Sequence, residues 1–309
     1  MRRTGAYGAR GCNGDREWID VTGAGEATRI ETAHGAVEYH DVGDGPCVLF
    51  VHGAPGGADQ GTLMSQFLRE RGWRTVAFSR PGYLGTPLGH DNRTPDAQAA
   101  LAAALMDERG VERFALMCWS GGGPTSYRLA ATAPDRVTSL VAVASVSNDF
   151  GFEGAGEEKL LMGRFGAWLM KELVRHAPKD TVKSLVKQEG ELDKGARKEL
   201  VEAIWADEGK REFALALMGT IVGDRKRGFE NDLEQFTSLD LGLEHVLVPA
   251  LLFHAKTDAD VPFGQSEHAL AHLPSAELVT IERGTHVSVW TDPDAAAHEE
   301  RIADFLVRP

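Results

Sequence analysis

The segment Cys118-Trp119-Ser120-Gly121-Gly122 constrains the fold of this chain more than any other. The apolar run Phe114-Ala115-Leu116-Met117 leads into it, and a helix-like stretch from Pro124 to Ala133 leads out. A serine between a buried strand and a helix, followed by small residues, reads as a nucleophile elbow. Such a turn forces the serine backbone into a strained conformation and lifts its hydroxyl clear of the sheet. Glycines are needed because strand and helix approach too closely there for side chains. The usual form is G-x-S-x-G, so Cys118 occupies the first small position. Short Ser/Gly turns are common, and alone this one reads equally well as an ordinary turn.

Three further segments give it weight. Val48-Leu49-Phe50-Val51 is a strand-like run that stops at His52-Gly53-Ala54-Pro55-Gly56. A loop of small residues after a buried strand can present backbone N–H groups to the oxyanion of an acyl-transfer reaction. The expected donors are the N–H groups of Ala54 and Gly121, with His52 bracing the loop rather than acting as a base. A second apolar run, Leu251-Leu252-Phe253-His254, ends in a loop carrying Asp258 and Asp260. Asp258, nearer the strand, is the expected triad acid. Asp260, just before Val261-Pro262, is placed to cap a helix starting near Phe263. The third run, Leu278-Val279-Thr280-Ile281, turns at Gly284 and is followed by His286, the expected general base. Most of the other histidines among the 11 have no comparable context.

Strand-like runs lie near 28–32, 36–41, 47–51, 74–78, 113–118, 137–143, 249–254 and 277–281, and helical patterns near 60–71, 94–109, 122–133, 264–272 and 293–306. This alternation predicts an α/β fold, a mostly parallel sheet with helices on both faces and the active residues at the carboxyl ends of its strands. The stretch 149–240 breaks the alternation. Glu158–His176, Lys179–Gln188, Lys194–Ala206 and Arg211–Val222 read as amphipathic helices, and Arg225-Lys226-Arg227-Gly228 as a helix-terminating turn. The expected organisation is a core of 25–148 and 241–309 with a helical cap inserted between them, preceded by a Gly-rich, polar tail over 1–24. Met162, Phe165, Trp168 and Leu217 of the cap, with Trp119 beside the serine, are candidates to line a substrate pocket. The competing use of the cap's apolar residues is to glue the cap to the core.

A formal net charge of −13 argues against nucleic-acid or anionic-membrane partners. No apolar run is long enough for a membrane span, and Met1-Arg2-Arg3 precedes no apolar leader segment. The three cysteines, Cys12, Cys47 and Cys118, form no C-x-x-C pair, which suggests reduced thiols in a cytoplasm. No zinc-ligand spacing, GxGxxG or P-loop is present, so neither metal nor organic cofactor is expected. The expected partner is a small-molecule substrate, and a homo-oligomer is left open.

Ser120, Asp258 and His286 follow in that order, with the loop of small residues upstream. From about Thr28 onward the chain resembles the α/β-hydrolase superfamily. His52-Gly53-Ala54-Pro55-Gly56 matches its HGxPG loop. His254 to Pro262 resembles its HGxxDxxVP acid loop with Ala255 for glycine, and Gly284-Thr285-His286 its GGH segment with Thr285 departing. Ser79-Arg80-Pro81-Gly82-Tyr83 resembles the D-x-P-G loop after the fourth strand, with Ser79 for aspartate. The resemblance implies an eight-stranded sheet, a helical cap between the sixth and seventh strands, and ester-like hydrolysis through an acyl-enzyme. The HGxPG loop is also similar to that of proline iminopeptidases. There, acidic cap residues hold a free amino terminus; Glu153, Glu157, Glu202 and Asp207 are the candidates here. Lactonase, carbon–carbon hydrolase and acyltransferase activities use the same triad, and a non-catalytic ligand-binding member is a third class.

Overall fold

The structure, a computed structural model, describes residues 26–151 and 162–306. Its strands are β1 (Thr28–Thr32), β2 (Gly35–Val42), β3 (Cys47–Val51), β4 (Arg74–Phe78), β5 (Phe114–Trp119), β6 (Val137–Val143), β7 (Ala250–Ala255) and β8 (Ala276–Ile281). They form one eight-stranded sheet in the order β1-β2-β4-β3-β5-β6-β7-β8. β2 pairs antiparallel with both β1 and β4, and every other pairing is parallel.

The central strands are apolar throughout because both of their faces are covered. Successive side chains alternate between two cores. Val48, Phe50, Met117, Trp119, Leu251 and Phe253 enter one. Leu49, Val51, Leu116, Cys118, Ala250 and Leu252 enter the other. The helices before the insertion are α1 (Ala58–Met64), α2 (Gln66–Arg69), α3 (Pro95–Glu108) and α4 (Gly123–Thr132). The predicted helix over 60–71 is broken at Ser65. Ser65 Oγ donates to the Gly61 carbonyl and Thr62 Oγ to that of Ala58, both at 2.7 Å. Such side-chain bonds compete with the helical ladder.

Between β6 and β7 run α5 (Arg164–His176), α6 (Pro178–Glu189), α7 (Lys194–Ala206), α8 (Glu208–Gly219) and α9 (Lys226–Gln235). The expected helix start at Glu158 lies outside the described residues. The basic segment Arg225–Gly228 opens α9 instead of terminating a helix. Arg225 is buried and pairs with Asp59 at 2.6 Å, while also donating to the Gly56 carbonyl at 2.7 Å. Leu185, Leu200, Ile204 and Leu217 of the insertion share one apolar core with Trp119 and Trp290. The chain closes with α10 (Gly264–His272), α11 (Ser288–Thr291) and α12 (Ala295–Leu306). α12 answers to the predicted helix near 293–306, while the short α11 was not predicted; Pro293 separates the two.

Register places the site. Val51 pairs with Cys118, Trp119 with Val143, Val143 with Phe253, and Ala255 with Ile281. The loops that follow β3, β5, β7 and β8 therefore leave the sheet at one edge, beneath the insertion.

Candidate active site

Ser120 sits at the sharp join between β5 and α4 with φ of 52°. A non-glycine residue in that region is strained and is held there only by its surroundings. The turn is tight: a Cβ on Gly122 would lie 2.4 Å from the Val51 carbonyl oxygen. One on Gly121 would lie 2.7 Å from Ala54 Cβ and 3.2 Å from Ala54 N. The backbone nitrogens of Ala54 and Gly121 are thus neighbours beside Ser120. Cys118 points into the opposite core from Trp119. Burial pushes its thiol up to about 12, so it stays neutral and packs as a small apolar side chain.

The Ala54 N–H is aimed by its own peptide. His52 Nε2 accepts the Arg80 backbone N–H at 2.9 Å, which leaves Nδ1 to donate to the Gly53 carbonyl at 2.7 Å. Arg80 Nη2 donates to the same carbonyl at 2.9 Å. N–H and C=O point in opposite directions across a trans peptide, so fixing the Gly53 carbonyl fixes the Ala54 N–H. Arg80 is anchored by Asp232 of α9 through two bonds of 2.7 and 2.8 Å, and Tyr83 Oη also donates to Asp232. Burial raises the Asp232 pKa, and the paired guanidinium and the Tyr83 hydroxyl oppose that by favouring the carboxylate. His52 is held neutral, its pKa driven well below normal by burial and by the Arg80 charge. Sequence reasoning singled out Arg80 and Tyr83 only as part of a loop, and Asp232 carried no local signal.

Asp258 Oδ1 accepts the backbone N–H groups of Asp260 and Val261, each at 2.9 Å. Its Oδ2 accepts from His286 Nδ1 at 2.7 Å. Burial alone would raise this carboxyl. The charges and hydrogen bonds of His286 and His254 outweigh it and hold the group well below the usual carboxylate range. With Nδ1 donating, the lone pair of the neutral imidazole is on Nε2. That atom is buried and makes no hydrogen bond, to Ser120 or to any other described side chain. Its neighbour is Asp260 Oδ2 at 3.3 Å. Asp260 therefore does not cap the following helix; α10 has no side-chain cap. Burial lowers the His286 pKa, but Asp258 and Asp260 more than reverse this and lift it to about 9.

Trp119 braces the histidine. Its indole N–H donates to the His286 carbonyl at 3.0 Å and its ring lies 4.8 Å from the imidazole. The insertion reaches both loops through its backbone. The Glu189 carbonyl accepts the N–H of His286 at 2.8 Å, Gly190 bridges to Asp258, and Glu191 N–H donates to the Thr257 carbonyl at 2.8 Å. This strap was not foreseen, since a single backbone bridge leaves no pattern in composition or period.

Of the candidate pocket residues, Met162 packs in one cluster with Ala54, Tyr83 and Phe229. Leu217 and Trp119 lie in the core that joins insertion to sheet. Phe165 and Trp168 are not brought to the serine: they are 71% and 55% exposed and pair with each other at 5.8 Å. Helical period marks an apolar stripe without saying how much of it the fold buries. Glu202 pairs with Lys179 at the surface and Asp207 caps α8; Glu153 and Glu157 lie outside the described residues. Ser120 and His286 are each 1% exposed, and the cavity against His286 is about 10 Å³, room for one water.

Among the described residues no helix is long and apolar enough to cross a membrane. The model of the alpha/beta hydrolase fold family matches residues 46–293. A solved alpha/beta hydrolase fold protein from Nakamurella multipartita is 43% identical with a TM-score of 0.86, covering 91% of this chain and 99% of its own. A 2-hydroxy-6-oxononadienedioate/2-hydroxy-6-oxononatrienedioate hydrolase from a Pseudomonas species is 24% identical over 96% of this chain and 98% of its own length. A non-heme chloroperoxidase from Streptomyces lividans is 25% identical over 86% of this chain and 95% of its own. With the strained serine, the paired histidine and aspartate and the matched span, the chain belongs to the alpha/beta hydrolase fold family.

Proposed function

We propose that this protein is a serine hydrolase that cleaves an ester-like bond of a small to medium substrate through an acyl-enzyme. The observation that carries the reading is the buried Asp258–His286 pair at 2.7 Å, whose Nε2 has no hydrogen-bond partner, on the strand edge that also carries Ser120 at positive φ. His286 Nε2 takes the Ser120 proton, and Oγ attacks the carbonyl carbon. The N–H groups of Ala54 and Gly121 hold the oxyanion. The imidazolium, oriented by Asp258, gives its proton to the departing alcohol. Water deprotonated by His286 then releases the acid and regenerates Ser120. Met162, beside Ala54, is placed to meet the substrate near the oxyanion donors. Trp119 and Leu217 act by packing.

The carbon–carbon hydrolase among the relatives takes its name from a dicarboxylate. The two buried guanidiniums near the serine loop here, Arg80 and Arg225, are matched by Asp232 and Asp59. Asp260 adds a negative group at His286, so among the described residues neither guanidinium is free to meet a dianionic substrate. The iminopeptidase reading loses two of its four acids, because Glu202 and Asp207 are engaged elsewhere. The buried thiols Cys47 and Cys118 fit a reducing compartment, and we place the enzyme in the cytoplasm. The test is hydrolysis of p-nitrophenyl esters by wild type and Ser120→Ala. The variant should lose at least about 1000-fold in kcat/KM. Equal rates would refute the reading.

A further inference from the structure

We propose that Asp260 faces the leaving-group side of the reaction and selects esters whose alcohol portion carries a positive charge. The inference rests on the reading of Ser120, His286 and Asp258 as the triad, and deepens it to a substrate class.

In acyl transfer one atom, the distal imidazole nitrogen, takes the serine proton and hands it to the departing alcohol. The alcohol oxygen must therefore pass within hydrogen-bond reach of His286 Nε2. Whatever lies beside Nε2 also lies beside the alcohol portion of the ester. In this protein that neighbour is Asp260 Oδ2, 3.3 Å away. Nε2 itself is buried and makes no hydrogen bond among the described residues, so its hydrogen-bonding capacity is unclaimed.

The acid loop carries two aspartates with different surroundings. Asp258 is enclosed, with both oxygens taken by backbone N–H groups and His286 Nδ1. The Asp260 side chain is 32% exposed, and among the described residues no lysine or arginine lies within salt-bridge distance of it. It is a carboxyl group at the margin between the triad and the space the substrate must use; burial and the Asp258 charge raise its pKa, and the His286 charge opposes them. A carboxylate only accepts hydrogen bonds, so it favours a cation or a strong donor and repels an anion.

Apart from His286 itself, no described cationic side chain within ion-pair distance offsets this charge. Arg80 is neutralised by Asp232, and Arg225 by Asp59. Glu189 adds a further negative charge to the field at His286. Beside the proposed oxyanion donor Ala54, Met162 and Phe229 pack in an apolar cluster. The site is thus polarised, apolar beside the oxyanion donor and negative where the alcohol leaves.

The test uses the full-length protein with matched esters of three acyl groups: acetyl, butyryl and benzoyl. Each is esterified to a quaternary-ammonium alcohol, to its uncharged tert-butyl isostere and to a hydroxy acid. All are assayed at one pH and low salt. Wild type should prefer the cationic ester over its isostere by about tenfold and disfavour the anionic one, with both differences shrinking at high salt. In Asp260→Asn and Asp260→Ala the cationic-to-neutral ratio should fall to within about twofold. A change in His286 basicity scales all three alcohols alike at fixed pH, so the ratio isolates contact with the alcohol. A flat ratio in wild type, or one that survives both substitutions in folded protein, overturns the proposal and leaves the triad reading intact. No turnover of any ester, with no adduct on Ser120 from a fluorophosphonate, overturns both.

Discussion

His286, the proposed base, is the residue on which most charges converge. Asp258 meets its Nδ1, Asp260 faces its Nε2, and Glu189 adds a more distant negative charge. Together they overcome burial and raise its pKa from 6.5 to about 9. The base must be neutral to accept the serine proton, so kcat/KM should climb as pH rises through about 9. The same shift has the opposite sign for stability. A folded-state pKa above the unfolded one adds stability that is complete below about 6.5 and is lost as pH rises to about 9. Activity should therefore rise while Tm falls across one window, read by ester kinetics and thermal unfolding in the same buffers. Asp260→Asn should move the activity midpoint toward 6.5, and an unmoved midpoint would remove Asp260 from this role. Ser120, Asp258 and His286 were legible because each follows an apolar strand at a glycine or polar turn. The role of Asp260 was not, because side-chain direction in an irregular loop depends on what packs against it.

Among the elements, α9 and the serine-side loops are joined by a fully buried ion pair. Arg80 and Asp232 are 152 residues apart in the chain and almost solvent-free. Removing one partner strands a buried charge, so Asp232→Ala should cost about 3 kcal/mol in urea unfolding. Replacing both by apolar residues, as in Arg80→Met with Asp232→Leu, should recover much of that loss. An additive double variant would contradict a coupled pair. Both changes should still slow catalysis, because the Gly53 carbonyl loses a donor that helps fix the Ala54 N–H. The strands were readable from period and β-branching. The break at Ser65 and the start of α9 at Arg225 were not. One turns on hydroxyls that compete for carbonyls, the other on ion pairs with residues far away in the chain.

For the whole molecule, the helices between β6 and β7 are fastened to the Asp258 and His286 loops by the Glu189–Glu191 strap and to the sheet by a continuous apolar core. Helical period in 149–240 marked amphipathic helices between β6 and β7, but not which of their apolar residues face inward; Phe165 and Trp168 remain largely exposed. With Ser120 1% exposed, reagents need an opening step first. The rate of Ser120 modification should saturate with probe concentration at the opening rate, and a rate linear in probe up to solubility would contradict a closed resting state. The most direct measurement is intact mass and peptide mapping after a fluorophosphonate is incubated with wild type and Ser120→Ala near pH 9. One adduct should form, on the peptide carrying Ser120, and be absent from the variant. No adduct in wild type at saturating probe, or an adduct that persists in Ser120→Ala, would contradict a serine hydrolase built on Ser120.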